Sequence, residues 1–350
     1  MRKLLHASTA LVLAFTLLLC GCASGGAEGN RAVSAEEDVY EFEPVTDIKD
    51  GRKNIYVILK VMTSQYWQSI ISGATDAGNE LDCNVYIGGC LVEGDWKTQD
   101  KLIEQALNER KADAFVIAPA SSSAQLDTIG DIYKSGKPVI LVDTIINSED
   151  YNTCYMTDNL QAGELAAKEM LSRLISSGLS EDESASIAIQ IGSTSSQTII
   201  DRLAGFNQYW AVNAPENWTV LDEVKLNNGN KDKAKQNGVD FLSDYPDLKG
   251  FFGCNNSSTV GFVSALKETG RTDIALVGFD YADETAAMVA SDSHRASTIV
   301  QNQYDMGYEG LAEAVSLLNG GKSKYKFVDT GTVVVNHANY KQYEAGVGSK

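Results

Sequence analysis

Five short stretches of this chain place hydrogen-bonding or aromatic side chains just beyond an apolar run. They are Ser64-Gln65-Tyr66-Trp67, Asp143-Thr144, Ser193 to Gln197 ahead of Arg202, Asn255-Asn256 and Asp280-Tyr281. Two adjacent aromatics, two acids, one Arg and several amides suit a polyhydroxylated ligand. Rings cover its C–H faces, and Asp, Asn and Arg exchange directional bonds with its hydroxyls. Each residue also has a plainer alternative: Trp67 as a core residue at a helix start, Asp143 as a helix N-cap, Arg202 as the surface partner of an acid, Asp280 as a turn former. Their shared position argues for the ligand reading, because ligands of open α/β sheets bind beyond the carboxyl ends of the strands.

That position depends on the elements. From Asn54 onward, short apolar runs alternate with amphipathic segments. Strands are expected at 55–61, 85–87, 114–118 and 139–142, with helices at 67–81, 98–108 and 124–134. Ser135-Gly136-Lys137-Pro138 closes the last of these, since Gly caps a helix and Pro cannot continue it. The pattern restarts at 154–156. Helices follow near 160–175, 199–212, 232–242 and 260–267, and strands at 187–191, 220–224, 250–254 and 274–279. Near-continuous apolar strands fit parallel sheets buried on both faces. The expectation is two doubly wound α/β halves in series.

Other chemistries are thinly supplied. The chain has three His: His6, His294 and His337. No HExxH, Walker A loop or GxGxxG is present, and no CxxC follows Cys22. His294 and His337 read as surface residues. No metal, cofactor or catalytic residue is expected. Cys83, Cys90, Cys154 and Cys254 are expected as free, mostly buried thiols; the strand between Cys83 and Cys90 spans roughly 23 Å, too far for a bridge.

The first residues read as an address. Arg2-Lys3, an apolar run from Ala10 to Leu19 and Leu19-Cys20-Gly21-Cys22 form a secretory signal too short to span a membrane. The last four look like a bacterial lipobox, with Cys22 lipidated as the mature N-terminus. Loss of Arg2 and Lys3 takes the formal charge from −18 to −20. So acidic a surface disfavours nucleic acid. Residues 23–53, with Gly25-Gly26 and Glu36-Glu37-Asp38, read as a flexible tether on which Tyr40 and Phe42 are the only docking candidates.

From about Asn54 to Gly331 the sequence resembles the ribose/galactose type of periplasmic sugar-binding protein, the solute receptor of ABC transporters. The resemblance is carried by Tyr66-Trp67 with Gly73, Asp95 with Gln99, the 114–119 run closed by Pro119, Gly136-Lys137-Pro138, Thr157-Asp158-Asn159, Arg202-Leu203-Ala204-Gly205-Phe206, Gly278-Phe279-Asp280 and Gln301 with Gly307. It implies an α/β fold of two doubly wound parallel-sheet lobes joined by three crossover strands. The crossovers fall near Thr157/Asp158, Gln301/Asn302 and Thr330/Gly331. Residues 54–157 plus 302–330 would form the N-terminal lobe, and 158–301 plus 331–350 the C-terminal lobe. The implied ligand-binding residues are Tyr66, Trp67, Asp143, Arg202, Asn255, Asp280 and Gln301, with Ser64 and Thr144 beside them.

Four departures widen the expected ligand set beyond ribose. Ser64-Gln65 stands where Asn-Pro is common, Thr144 where ribose binders carry a second Arg, and Asn256 where an Asp usually follows the Asn; residues 227–232 lack an aromatic. One Arg and one ring fewer leave another monosaccharide, a polyol or an autoinducer-2-like signal as ligands. The resemblance implies no enzyme, but a monomeric receptor that is lipid-anchored outside the cytoplasmic membrane, at the cell surface or in the periplasm. It would deliver its ligand to an ABC permease. The alternative is a sensor that presents its closed form to a chemoreceptor or a sensor kinase.

Overall fold

The computed structural model describes residues 41–62, 64–291 and 295–345. The signal segment, Cys22, Tyr40 and His294 lie outside the described residues.

The first sheet collects β1 (Glu43–Pro44), β2 (Asn54–Leu59), β3 (Asn84–Gly89), β4 (Ala114–Ile117), β5 (Val139–Val142) and β6 (Thr153–Met156). Between them run α1 (Gln65–Glu80), α2 (Trp96–Asn108) and α3 (Leu126–Lys134). The chain then leaves for a second sheet through α4 (Asn159–Ser176), β7 (Ala185–Ile191), α5 (Gln197–Asn213), β8 (Trp218–Leu226), α6 (Lys231–Asp244), β9 (Leu248–Gly253), α7 (Asn256–Thr269), β10 (Ala275–Phe279), α8 (Asp283–Ala290) and β11 (Ala296–Gln301). It returns with α9 (Gln303–Leu318) and β12 (Phe327–Asp329), and ends in β13 (Thr332–Asn336) and α10 (Tyr340–Glu344). Strand order is β1-β3-β2-β4-β5-β6-β12 in one sheet and β13-β11-β10-β9-β7-β8 in the other. All pairings are parallel except those of β1 with β3 and β13 with β11. The architecture is thus two doubly wound lobes, with the chain passing between them after β6, after β11 and after β12.

Helices cover both faces of each sheet, so alternate residues of one strand feed opposite cores. On β2, Ile55, Val57 and Leu59 join one cluster while Tyr56 and Ile58 join the other. On β7, Ile187 and Ile189 face Phe206 and Phe252, and Ala188 faces Phe251 and Phe262. One close helix contact per lobe depends on glycine. A Cβ at Gly73 of α1 would lie 2.0 Å from the Tyr304 carbonyl oxygen of α9, and one at Gly205 of α5 would lie 2.0 Å from that of Leu160 on α4.

The expected tether is too long at its C-terminal end. Residues 43–44 pair antiparallel with β3. The Phe42 ring stands edge-on to Tyr56 at 4.8 Å and covers Gly88, where a Cβ would lie 2.6 Å from the ring. Thr46 accepts from the Val85 N–H at 3.0 Å and donates to the Cys83 carbonyl at 3.1 Å. The physical reason is the exposed edge of β3, whose backbone groups take up the incoming segment.

Cys83, Cys90, Cys154 and Cys254 are free and buried. Burial pushes the Cys83 thiol up to about 11 and the Cys90 thiol up to about 12. Such thiols are inert at neutral pH. His337 is exposed, after β13.

Candidate functional site

Strand ends from both lobes converge on a cavity of about 400 Å³. Its wall includes Ser64, Tyr66, Trp67, Asp143, Arg202, Asn255, Asp280 and Gln301, eight of the nine residues expected from the sequence. Thr144 is fully buried just behind the wall. The volume lies within the range of small-molecule sites.

On the first lobe, Asp143 follows β5 directly and adopts φ +64°. Asp tolerates this left-handed conformation better than most residues. Its N–H donates to the Tyr155 carbonyl at 3.0 Å, so the residue continues the sheet while its side chain turns into the cavity. The carboxylate is fully engaged. Lys60 Nζ lies 2.7 Å from Oδ2, the Tyr66 hydroxyl donates to Oδ1 at 2.6 Å, and the Thr144 hydroxyl donates to Oδ2 at 2.5 Å. Burial alone would push the Asp143 carboxyl up; Lys60 and the two hydroxyls outweigh it and hold the carboxyl below its usual range. Burial and the Asp143 charge push Tyr66 well up, so its hydroxyl remains a donor. Trp67 stands edge-on to Tyr66 at 4.8 Å, and Lys60 Nζ is 5.6 Å from a Trp67 ring centroid.

The second lobe repeats the strand-end device. Asp280 follows β10, has φ +68°, and donates its N–H to the Ile299 carbonyl at 2.9 Å. Here no cation among the described residues is bonded to the carboxylate. Gln301 Nε2 donates to Oδ1 at 2.9 Å, and Gln303 Nε2 approaches the same oxygen at 3.4 Å. Burial pushes the Asp280 carboxyl up to about 6, with Arg202 and Gln301 pulling the other way.

Arg202 is 2% exposed and lies over the Phe279 ring at 3.8 Å. Its Nε donates to Asn159 Oδ1 at 2.8 Å and its Nη1 to the Cys254 carbonyl at 2.9 Å. Nη2 has no hydrogen-bond partner among the described residues, although it is buried. A buried guanidinium nitrogen without an acceptor is costly, so an acceptor at the cavity wall would be strongly held. Asn159 Nδ2 in turn donates to the Thr157 carbonyl at 2.8 Å, and the Thr157 hydroxyl to Gln301 Oε1 at 3.1 Å. Thr157 and Gln301 sit at two of the three passages between lobes. One chain of bonds therefore runs from Arg202 through both passages to Asp280.

Residues 55–323 match the periplasmic binding protein domain. The chain belongs to the periplasmic binding protein family. It is a binding protein, not an enzyme. The D-apiose import binding protein of Actinobacillus succinogenes is 23% identical over 292 residues, which cover 82% of this chain and 89% of that one. Two solved structures are also similar. An ABC transporter solute-binding protein from Agrobacterium vitis with bound D-fucose is 28% identical (TM-score 0.77, covering 84% of this chain and 99% of that one). A carbohydrate transporter solute-binding protein from Agrobacterium radiobacter in complex with D-arabinose is 26% identical (TM-score 0.79, covering 85% and 98%).

For a periplasmic binding protein, the geometry decides among the plainer alternatives. Trp67 is both a core residue and a wall residue. Asp143 caps no helix, because β5 is followed by a loop and then β6. Arg202 is interior and has no carboxylate at ion-pair distance among the described residues. Asn255 does cap α7, accepting from the Ser258 N–H at 3.2 Å, while its Nδ2 donates to Ser257 Oγ at 3.1 Å and to Glu93 Oε2 at 3.3 Å.

Sequence reasoning missed three charged wall residues, Lys60, Glu93 and Lys231. Lys60, just past β2 and one strand removed from β5, supplies a cation beside Thr144 where an Arg is otherwise expected. Its signal was a Lys ending a strand whose preceding five residues are buried. Glu93 sits in Glu93-Gly94-Asp95, ahead of the N-cap of α2. Among the described residues, no group of His, Cys, Asp and Glu is placed to hold a metal ion.

Proposed function

We propose that this protein captures a small, uncharged sugar or sugar-like ligand between its lobes outside the cytoplasm and delivers it to an ABC import permease. The observation that carries this reading is the unspent pair on the second lobe. Arg202 Nη2 lacks an acceptor, and Asp280 lies close enough to feel the Arg202 charge yet forms no ion pair with it. A hydroxyl donates to the carboxylate and accepts from the guanidinium, so one sugar hydroxyl fills both valences. Asp143 is already neutralised by Lys60, which leaves no strong net charge for an ionic ligand to answer. Trp67 offers an apolar face beside them. The relatives named for D-apiose, D-allose and D-ribose import support the class of ligand.

The lobes are assigned as residues 54–157 with 302–330, and 158–301 with 331–350. All nine residues named from the sequence serve the site, Asp143 and Thr144 by fixing its wall. The chain is a monomeric lipoprotein held outside the cytoplasmic membrane by lipid on Cys22. Among the described residues, no helix is long and apolar enough to cross a membrane.

A thermal-shift screen of D-ribose, D-allose, D-apiose, D-arabinose, D-fucose and xylitol tests the reading. A ligand at 100-fold over its Kd should stabilise the protein by about 2.7 kcal/mol. Response to an amino acid or a nucleoside, with no response to any sugar or polyol, would refute it.

A further inference from the structure

Glu93 is placed by the first lobe but faces the second. It lies on the loop between β3 and α2. That loop is braced: the Asp95 N–H donates to the Val92 carbonyl at 3.3 Å, and the Asp95 carboxylate accepts from the Thr98 N–H at 3.2 Å. Gly94 makes the turn with φ +86°. Across the cavity, Asn255 Nδ2 donates to Glu93 Oε2 at 3.3 Å. Two glycines of the second lobe make the room. A Cβ at Gly229 would lie 2.8 Å from the Glu93 Cβ, and one at Gly192 would lie 2.9 Å from Oε2. Oε1 accepts no hydrogen bond among the described residues. Burial pushes the Glu93 carboxyl up, Lys60 and Arg202 pull the other way and Asp143 repels it, but neither cation forms an ion pair with it.

We propose that Glu93 is a specificity residue of the sugar site: Oε1 accepts a ligand hydroxyl, while Oε2 ties the loop to Asn255 across the cavity. The inference deepens the proposed function and rests on it. It follows from unspent bonding capacity. The second lobe offers one free acceptor and one free donor, at Asp280 and Arg202. The first lobe offers the same combination, at Glu93 Oε1 and the third N–H of Lys60, whose other two protons go to Asp143 and Thr144. A ligand that fills both pairs is a polyol with a free hydroxyl for each, not one alkylated or deoxygenated where it meets Glu93. Sugars differ in which carbons carry free hydroxyls and how these point, so Glu93 sorts them by the hydroxyl they present.

The test is E93Q, which keeps the side-chain shape and an oxygen for Asn255 and removes the charge. Titration calorimetry against D-ribose, D-allose, D-apiose, D-arabinose and D-fucose reads the Kd of each for both proteins. The best wild-type ligand should lose roughly 10- to 100-fold, as for loss of a charge-assisted bond. The weakest should change little, so discrimination across the panel narrows. An unchanged Kd for the best ligand, or an equal loss for every sugar with the ranking intact, would overturn the role of Glu93 and leave the sugar reading standing. No binding of any of the five to the wild-type protein would overturn both.

Discussion

Replacing Lys60 by Met isolates the most consequential charge in the pocket. The Lys60 and Asp143 side chains are each 5% exposed, with Nζ 2.7 Å from Oδ2. Met keeps much of the stem and removes the cation, leaving a buried carboxylate with only the hydroxyls of Tyr66 and Thr144. Breaking such a pair from one side costs about 3–5 kcal/mol, because the remaining charge is stranded. The pH dependence follows from the sign of the Asp143 shift. In the wild type the carboxyl is held below its usual range, so its contribution is present above the unfolded value of about 3.9 and is lost only as the pH falls through the still lower folded value. In K60M, burial dominates and the folded value rises above the unfolded one. The variant is then weakest at neutral pH and recovers toward wild type as the pH falls toward 4. Urea unfolding of both proteins at pH 5, 6, 7 and 8 measures the difference, and K60M/D143N should regain most of the loss. A difference under about 1 kcal/mol at pH 7, or one that is flat from pH 5 to 8, would refute the reasoning.

Three further outcomes are expected. Asp280 should make ligand affinity pH-dependent: with its folded value at about 6, protonation removes the carboxylate that accepts a hydroxyl, so affinity should fall roughly tenfold from pH 7 to pH 5. The unliganded protein should gain stability over the same fall, and calorimetry should find both trends flattened in D280N. Gly73→Ala and Gly205→Ala should each destabilise by about 1–3 kcal/mol, read as a lower melting temperature, because the new methyl meets backbone oxygen at 2.0 Å in both helix contacts. Cys22→Ser should move the protein from the membrane fraction to the soluble fraction of expressing cells.

The α/β alternation was legible because parallel strands buried on both faces leave unbroken apolar runs, as at 114–117 and 139–142. Beyond Phe279 the sequence supplied single motifs but no elements. Helix α8 is short, and β12 and β13 are three- and five-residue strands on sheet edges with little buried surface to mark them. Residues 41–53 were misread because docking against the edge of β3 uses backbone pairing, one ring and one hydroxyl, which leave no periodicity. Positions of the site residues were legible because strand ends are a topological property. Their bonding was not: the partnership of Lys60 with Asp143 joins residues 83 apart, and nothing in either neighbourhood announces the other.

The two strand-end aspartates show why position alone underdetermines role. Asp143 and Asp280 share a left-handed backbone, an N–H bonded to the next strand, and a carbonyl held by a threonine hydroxyl, from Thr198 at 3.0 Å and Thr298 at 2.7 Å. The backbone device is the same in both lobes, and what differs is the company of the carboxylate. Asp143 spends its charge on Lys60 and its remaining lone pairs on Tyr66 and Thr144, so it organises the wall and has little left for a ligand. Asp280 receives only amide donors, keeps Oδ2 unspent, and faces an Arg202 nitrogen in the same condition. Its cost of burial is relieved only when something enters the cavity. Arg202 and Asp280 are joined through Asn159, Thr157 and Gln301 to two of the three passages between lobes, so a ligand that satisfies them also braces those passages. On this argument, the second lobe supplies the site's appetite for a hydroxylated ligand, and the first supplies a rigid, pre-neutralised wall against which that ligand is read.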